Sequence, residues 1–337
     1  VGIWFIIALA SPAATSSLIH TFVFGWAIEW VFFVGEIVAL LIYHYKFDSL
    51  KKKARLNIAF LYFLFAWLSL VIINGILSFM LTPGAWLENQ GFWSGFFNPT
   101  YFPSLFFRTC VAFMFAGLFG YVTVVFLPES EFRTKMLRYC SKWLLIPVPG
   151  VIVFGVWYYF AVPSSILETT FSLNAQTGLV LNVFIVTSIL IFLLGLFYTM
   201  RCKKAIIQKV MVFIFILIGL GWYGGFEYMR EYARKPFIIY DLMYSTSIYK
   251  TDVEKLNQEG LLTHAKWTSV KKITPENRMQ AGRELFNIQC ISCHTVNGVK
   301  NDILEKTESL TFMGMQSHLY GQGKILDYMP PFVGTAE

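Results

Sequence analysis

Five consecutive residues near the end of the chain, Cys290-Ile291-Ser292-Cys293-His294, carry its most specific chemistry. Two thiols at this spacing can each form a thioether to a porphyrin vinyl group, and the adjacent imidazole can bind the iron. Cys-x-x-Cys-His is the attachment pattern of a c-type haem. Cys-x-x-Cys alone is shared with zinc and dithiol sites; the histidine and a distant Met-Pro-Pro narrow it. The second iron ligand is expected at Met329, within Tyr328-Met329-Pro330-Pro331-Phe332, a loop stiffened by two prolines. Met313 and Met315 are the alternative thioethers. Ahead of the motif, Thr274-Pro275-Glu276 predicts an N-cap, a proline at the first helical position and an acidic first turn. Gly282 and Phe286 then share the face of a helix that leads into Cys290.

The elements that position this motif are of a different kind. The 337 residues are 56% hydrophobic, 18% aromatic and only 14% charged, with a mean hydropathy of +0.57. Such a composition places the chain among integral membrane proteins. Its net charge of +7 does not indicate nucleic acid, because much of the excess sits in short loops between apolar runs. Besides the haem pair, Cys110, Cys140 and Cys202 are scattered in or beside those runs, with no disulfide framework implied. The opening run, Val1 to Leu9, is too short to span and has no basic flank, so it reads as the tail of a spanning helix. Six full spans are expected near 17–45, 55–82, 103–127, 143–162, 177–200 and 205–228, each long enough for a hydrocarbon layer of about 30 Å. The fold class is therefore all-α: a polytopic transmembrane bundle over 1–228, a polar tether over 229–273 and a small cytochrome c domain over 274–337.

Charge sets the orientation. Lys46, Lys51, Lys52, Lys53 and Arg55 fill the first loop, Arg133, Lys135, Arg138 and Lys142 the third, and Arg201, Lys203, Lys204 and Lys209 the fifth. The alternate loops, 83–102 and 163–176, hold no Lys or Arg. Basic loops stay cytoplasmic, so the last span exits outward and carries the Cys290 motif to the outer face, where haem c is attached in bacteria. The expected location is the bacterial inner membrane, with the C-terminal domain periplasmic. Trp86, Phe92, Trp93, Phe96, Phe97, Tyr101 and Phe102 in the second loop predict an aromatic belt at headgroup level, where a quinone site is the alternative.

Ionisable residues inside spans are costly and are candidates for function. His20 lies near the outer end of the first span, and Glu29 and Glu36 follow on one helical face. Glu29 is open to proton conduction or haem ligation, and Glu36 to the proton path. Glu227 and Glu231 share a face at the outer end of the sixth span, accompanied by Arg230, Arg234 and Lys235, and Arg108 sits early in the third. Haem propionates would supply the negative charge these cations lack; local interfacial ion pairs are the alternative. His44 reads as a headgroup-level residue and His264 as a surface histidine.

Gly25-Trp26-Ala27-Ile28-Glu29 and Glu231-Tyr232-Ala233-Arg234-Lys235-Pro236 resemble the Ala-Ile-Glu and Glu-Tyr-Gly-Arg-Gln-Pro signatures of the core subunit of cytochrome bd quinol oxidases. Asn74-Gly75 and Asn98-Pro99 are similar to that subunit as well. The nearer resemblance is to bd-like membrane cytochromes whose last helix runs into a periplasmic cytochrome c. Ser11-Pro12-Ala13-Ala14-Thr15, His20-Thr21-Phe22, Phe97-Asn98-Pro99-Thr100 and Met243-Tyr244-Ser245 look like that branch. The resemblance implies that Glu29 sits beside a high-spin haem, that Glu231 ligates the second, and that Arg234 meets a propionate. It implies b-type or d-type haem in the bundle besides the one haem c. The departures are Arg108-Thr109 where the oxidases carry a His-Thr, Glu227 where they carry a tryptophan, and no counterpart of the hydrophilic quinol-binding loop.

The expectation is a membrane-bound respiratory electron-transfer subunit, passing electrons between bundle haem and the His294/Met329 haem c. Its expected partners are membrane lipid, other membrane subunits, a soluble or multihaem cytochrome c, and quinone. The alternatives are a bd-like terminal oxidase, with Glu29 and Glu36 as its proton path, and a haem-free anchor for the cytochrome c domain.

Overall fold

A computed structural model describes residues 2–172, 178–180, 182–190, 205–299 and 301–334. It is mostly helical, with one two-stranded sheet, and divides into two compact units: Leu18–Ala233, and Arg234–Glu337 together with Val1–Ser17. Among the described residues five helices are long and apolar enough to cross a membrane: Val23–Lys46, Lys52–Phe79, Tyr101–Val125, Glu131–Ala161 and Ile207–Tyr232. Their outward side chains, among them Trp30, Phe60, Phe119, Phe160 and Leu217, are large, apolar and exposed, which is the surface lipid requires. The chain is thus a multi-pass membrane protein. The fifth expected span, 177–200, lies half outside the described residues; those within it, 178–180 and 182–190, are helical. Arg201, Cys202, Lys203 and Lys204 also lie outside them.

The first expected span, 17–45, is divided. Phe22 leaves helical geometry at φ −120° and ψ 37°, separating Pro12–Thr21 from Val23–Lys46. The Leu18 carbonyl near this break accepts from Phe22 N (3.0 Å) and from the Trp26 indole Nε1 (3.2 Å), so it stays satisfied. Phe22 is fully buried, with its ring edge-on to Phe79 at 4.9 Å and to Phe92 at 5.9 Å. His20 accordingly sits in the last turn of the short helix, exposed, and not inside the spanning one.

The basic third loop is a helix over most of its length. Ser130 caps Glu131–Leu145, its hydroxyl accepting from Arg133 N at 3.1 Å, and a turn at 146–147 joins it to Val148–Ala161. Arg133 is buried on this helix. Its guanidinium donates to the Val125 carbonyl at 3.0 Å and to Gln208 Oε1 at 2.7 Å, fastening the last spanning helix to the end of the third.

The aromatic segment 83–102 also departs from a simple belt. It folds into two short helices, Trp86–Asn89 and Phe92–Phe96, that close one end of the bundle. Trp93, Phe97 and Phe102 are exposed as a belt requires, but Phe96 and Tyr101 are buried. Asn98 organises this end. Its amide Nδ2 faces the carbonyls of Gly75 (3.2 Å), Gly95 (3.0 Å) and Phe96 (3.3 Å) and the Ser78 hydroxyl (3.0 Å). Thr82 and Thr100 bond to each other at 2.6 Å, and the one that accepts is left to donate to Asn98 Oδ1, which lies 3.2 and 3.3 Å from the two hydroxyls.

The stretch expected as a tether is ordered. Phe237–Ile239 pairs antiparallel with Met243–Tyr244, and the rings of Phe237 and Tyr244 stack at 4.7 Å. Short helices at Val253–Glu259 and Leu261–His264 follow, with Leu261 and Leu262 buried. The helix leading to the motif runs Arg278–Gln289, starting three residues later than Pro275 predicts. Asn277 takes the capping position, and its Oδ1 accepts from Thr274 N at 2.7 Å. Thr274 meanwhile engages the carboxylate of Glu276, holding it below the usual carboxylate range. Polar side chains here bond to the turn in preference to opening a helix.

Candidate functional site

The helix Arg278–Gln289 delivers the Cys290 motif. Ala281 is buried against Leu262 and Val270, while Leu285 and Ile288 pack on the small core formed by Ile248, Leu261 and Val333. Past Gln289 the backbone closes in tight turns: Cys290 N bonds to Phe286 O, and Cys293 N and His294 N both bond to Cys290 O. Both motif cysteines are free thiols, half-buried. Burial, and then the neighbouring Cys293, push the Cys290 thiol above its usual range, so it is protonated at neutral pH.

His294 is oriented by its backbone surroundings. Its Nδ1 lies 3.0 Å from the Asn301 carbonyl oxygen. A carbonyl carries no proton, so Nδ1 donates, and in the neutral ring the lone pair is left on Nε2. That is the tautomer a metal-binding imidazole needs. Asp302 caps the following helix, Ile303–Thr307, and also accepts from Asn297 N at 3.0 Å, which fixes the loop that carries the Asn301 carbonyl.

From 290 to 332 none of the described residues is buried, although the segment contains two helices and many apolar side chains. Ile291, Val296, Val299, Leu304, Phe312, Met313 and Ile325 are all exposed. Burial resumes at Val333 and Gly334. There Gln289 makes two buried bonds to Val333, Nε2 to the carbonyl at 2.9 Å and Oε1 from the amide at 2.8 Å, and Asn257 Oδ1 accepts from Gly334 N. The residue before the first cysteine is thereby fastened to the chain just beyond the Met329 loop. Met329 is half-buried, and Met313 is exposed.

In the bundle, Glu29 and Glu36 are brought onto one face, as their spacing predicts, and each meets a hydroxyl of the second spanning helix. Ser69 donates to Glu29 Oε1 at 2.9 Å, and Tyr62 bonds to Glu36. Two turns along one helix match two turns back along the other, so the pair runs antiparallel. Gly35 lies between them, where a Cβ would stand 3.1 Å from the Phe65 ring. Glu29 is buried and Glu36 half-buried.

Arg108, Glu227 and Arg230 also come together. Glu227 Oε2 accepts from Arg230 Nε at 2.9 Å and Nη2 at 2.6 Å, and both side chains are largely covered. Arg108 lies within electrostatic range of both, and of the Tyr158 and Tyr223 side chains. Glu231 is exposed on the last turn of its helix. Arg234 falls in the C-terminal unit, buried, with Nη1 3.5 Å from the Ile238 carbonyl. His44 is exposed, and His264 pairs with Glu259 at 2.6 Å on the surface. Sequence reasoning placed Arg133 in a loop and gave the Asn74–Ser104 pair no role; only the fold shows them buried and bonded.

Among the described residues no three His, Cys, Asp or Glu side chains gather as a metal site. No family model, curated protein or solved structure matches the chain.

Proposed function

We propose that the chain is a membrane-bound electron-transfer subunit in which Cys290 and Cys293 hold a covalent haem c and His294 and Met329 bind its iron. One observation carries this reading: the 290–332 segment has no buried residue among those described, yet it presents exposed apolar side chains beside two free thiols and a pre-oriented imidazole. A folded segment of this kind needs an apolar centre to offset the entropy of ordering it, and a porphyrin fits that chemistry. When bound, the group would supply one-electron chemistry at a potential set by its axial ligands and by burial. The chain's own part is to hold and shield it. The Asn301 carbonyl fixes the His294 tautomer, and Gln289 clamps Val333 so that the Met329 loop is held near its far end.

The bundle would hold haem of b or d type, with Glu29, Glu231 and Arg234 as the residues named by the resemblance and His20 as a further candidate from its place in the chain. The paired Glu29–Ser69 and Glu36–Tyr62 contacts support a second component, proton transfer along this helix pair, as the terminal-oxidase alternative requires. Partner subunits, a soluble or multihaem cytochrome c and quinone belong to the same proposal, as does the periplasmic placement of the C-terminal unit in a bacterial inner membrane.

The test is a pyridine haemochrome analysis of the purified full-length protein with haem staining after denaturing electrophoresis. The expected result is one covalent haem c, lost in Cys290→Ala/Cys293→Ala, together with acid-extractable haem from the bundle. A protein free of covalent haem after expression with the c-haem maturation machinery would sink the proposal. Covalent haem without extractable haem would leave the bundle an anchor.

A further inference from the structure

Arg108 belongs to a helix that begins at Tyr101, and Arg230 to one that ends at Tyr232. Arg108 Nε donates to Ser104 Oγ at 3.3 Å, so its side chain reaches back one turn toward the start of its helix. Arg230 is two residues from its helix end. Both guanidinium groups therefore stand within about one helical turn, roughly 5 Å, of the same end of the bundle. That depth is the boundary between headgroups and acyl chains.

The charges there do not balance. Two guanidinium groups face one carboxylate, Glu227, and the other groups acting on Arg108 are the neutral phenols Tyr158 and Tyr223. Among the described residues that act on Arg108, the cluster carries one net positive charge. Among the described residues the Arg108 terminal nitrogens, Nη1 and Nη2, make no hydrogen bond, whereas its Nε is held through a chain of side chains. Ser104 Oγ donates to Asn74 Oδ1 at 2.8 Å, and Asn74 Nδ2 donates to the Tyr101 carbonyl at 3.0 Å. Asn74, Ser104 and Tyr101 are all buried, so the guanidinium is aimed by a rigid mount. A planar fork with free donors, one surplus charge and a position at phosphate depth together describe an oxyanion site.

We infer that Arg108, Arg230 and Glu227 form a binding site for the phosphate of one anionic phospholipid with a single net negative charge, such as phosphatidylglycerol. The free Arg108 nitrogens donate to the phosphate oxygens, Arg230 adds charge while remaining paired with Glu227, and the acyl chains run along the exposed apolar side chains. This inference does not depend on haem in either unit.

The experiment is native mass spectrometry of the full-length protein from nanodiscs of phosphatidylglycerol and phosphatidylcholine in equal amounts. The wild type is expected to retain one phosphatidylglycerol. Arg108→Gln and Arg230→Gln should each lower that retention about fivefold, the weight of one basic residue near a lipid surface, and Arg108→Lys should recover part of it. Glu227→Gln should raise retention, because it removes the competing carboxylate; a purely structural role would not produce that sign. Circular dichroism melts show which variants fold, and Glu227→Gln with Arg108→Lys keeps the test valid if Arg108→Gln does not. Equal retention across the variants overturns the inference. So does binding of inorganic phosphate in phosphatidylcholine discs without preference for the anionic lipid, which would make this a site for a soluble oxyanion. Loss of extractable haem in Arg108→Gln with lipid retention unchanged would overturn it too, and assign the arginines to a cofactor carboxylate.

Discussion

Replacing Gln289 by Leu tests whether the motif and the Met329 loop share one clamp. The substitution keeps the volume of a buried side chain and removes both of its bonds to Val333, at 2.9 and 2.8 Å. Val333 is 1% exposed, so its amide and carbonyl are left without partners and without water. Each orphaned group costs about 1–3 kcal/mol, and partial relaxation brings the total to about 2–4 kcal/mol. A loss of that size falls first on the local opening of 329–334, because Leu285 and Ile288 still pack on Leu261 and Ile248. At about 1.4 kcal/mol per decade, amide exchange at Val333 and Gly334 should accelerate roughly thirty-fold to several hundred-fold. Exchange in the helix Arg278–Gln289 should change far less. The assay is hydrogen–deuterium exchange with mass spectrometry on the full-length protein, comparing peptides over 329–334 and 278–289. Unchanged exchange at 329–334 in a folded variant would refute the clamp. Equal acceleration in both peptides would show that Gln289 supports the whole unit and not the loop.

Glu284 ties the 269–270 strap to the same helix, accepting from Ser269 Oγ at 2.6 Å and from the amides of Ser269 and Val270 at 3.2 Å. The Ser269 hydroxyl first, and then the two amides, hold its carboxyl below the ordinary 4.5. A lowered carboxylate contributes stability above its unfolded value and loses it as pH falls through the folded one. Glu284→Gln should therefore be less stable than wild type above pH 4.5, and the gap should close in more acid solution; a pH-independent gap in denaturation midpoints would exclude this. Gly75 is set against Phe96, where a Cβ would lie 2.7 Å from the ring. Gly75→Ala should cost about 1–3 kcal/mol by overpacking, read as a lower melting temperature in detergent, while Gly219→Ala, where the nearest side chain is 3.6 Å away, should be nearly neutral. Equal melting temperatures for the two variants would contradict the close approach.

What the sequence discloses depends on how local the cause is. Spans are written as apolar runs, and five of the six expected ones are helices of the right length. The Cys290–His294 motif is local too, and its turn geometry follows from a handful of adjacent backbone bonds. The helix start at Ser130 was also written in the chain, as a serine followed by an acidic first turn. The density of Arg133, Lys135, Arg138 and Lys142 instead suggested a loop. Charge sets which side of the membrane a segment faces, not whether it is helical, and Lys135, Arg138 and Lys142 can share a helix whose other face buries Arg133 and Leu137. The break at Phe22 depends on rings from Phe79 and Phe92, remote in sequence, so no periodicity in 17–45 announces it. The cluster of Arg108 with Glu227 and Arg230 joins helices far apart along the chain. Separately, those residues read as interfacial charges.

The polar residues of the bundle follow one physical rule. A buried amide in an apolar medium must meet every demand of its donors and acceptors, or it costs several kcal/mol. Asn98 does so with three carbonyls and a hydroxyl, and in doing so fixes the turn that brings Phe96 onto Gly75. Asn74 continues the chain through Ser104 to Arg108. A network satisfied at each step is rigid, because moving any member strands another. The two carboxylates are arranged differently, each with one hydroxyl from the neighbouring helix. A carboxylate has more acceptor sites than one hydroxyl can fill, so among the described residues neither is locked into a network of the Asn98 kind. The bundle thus separates a fixed scaffold at the Tyr101 end from two carboxylates held between its first two spanning helices. Ser69→Ala removes the donor to Glu29 without touching the Asn98 network. It should alter any proton-linked signal of the protein while lowering stability by no more than about 1–3 kcal/mol, the cost of the orphaned carboxylate oxygen. A large loss of stability with no change in proton linkage would place Glu29 with the scaffold instead.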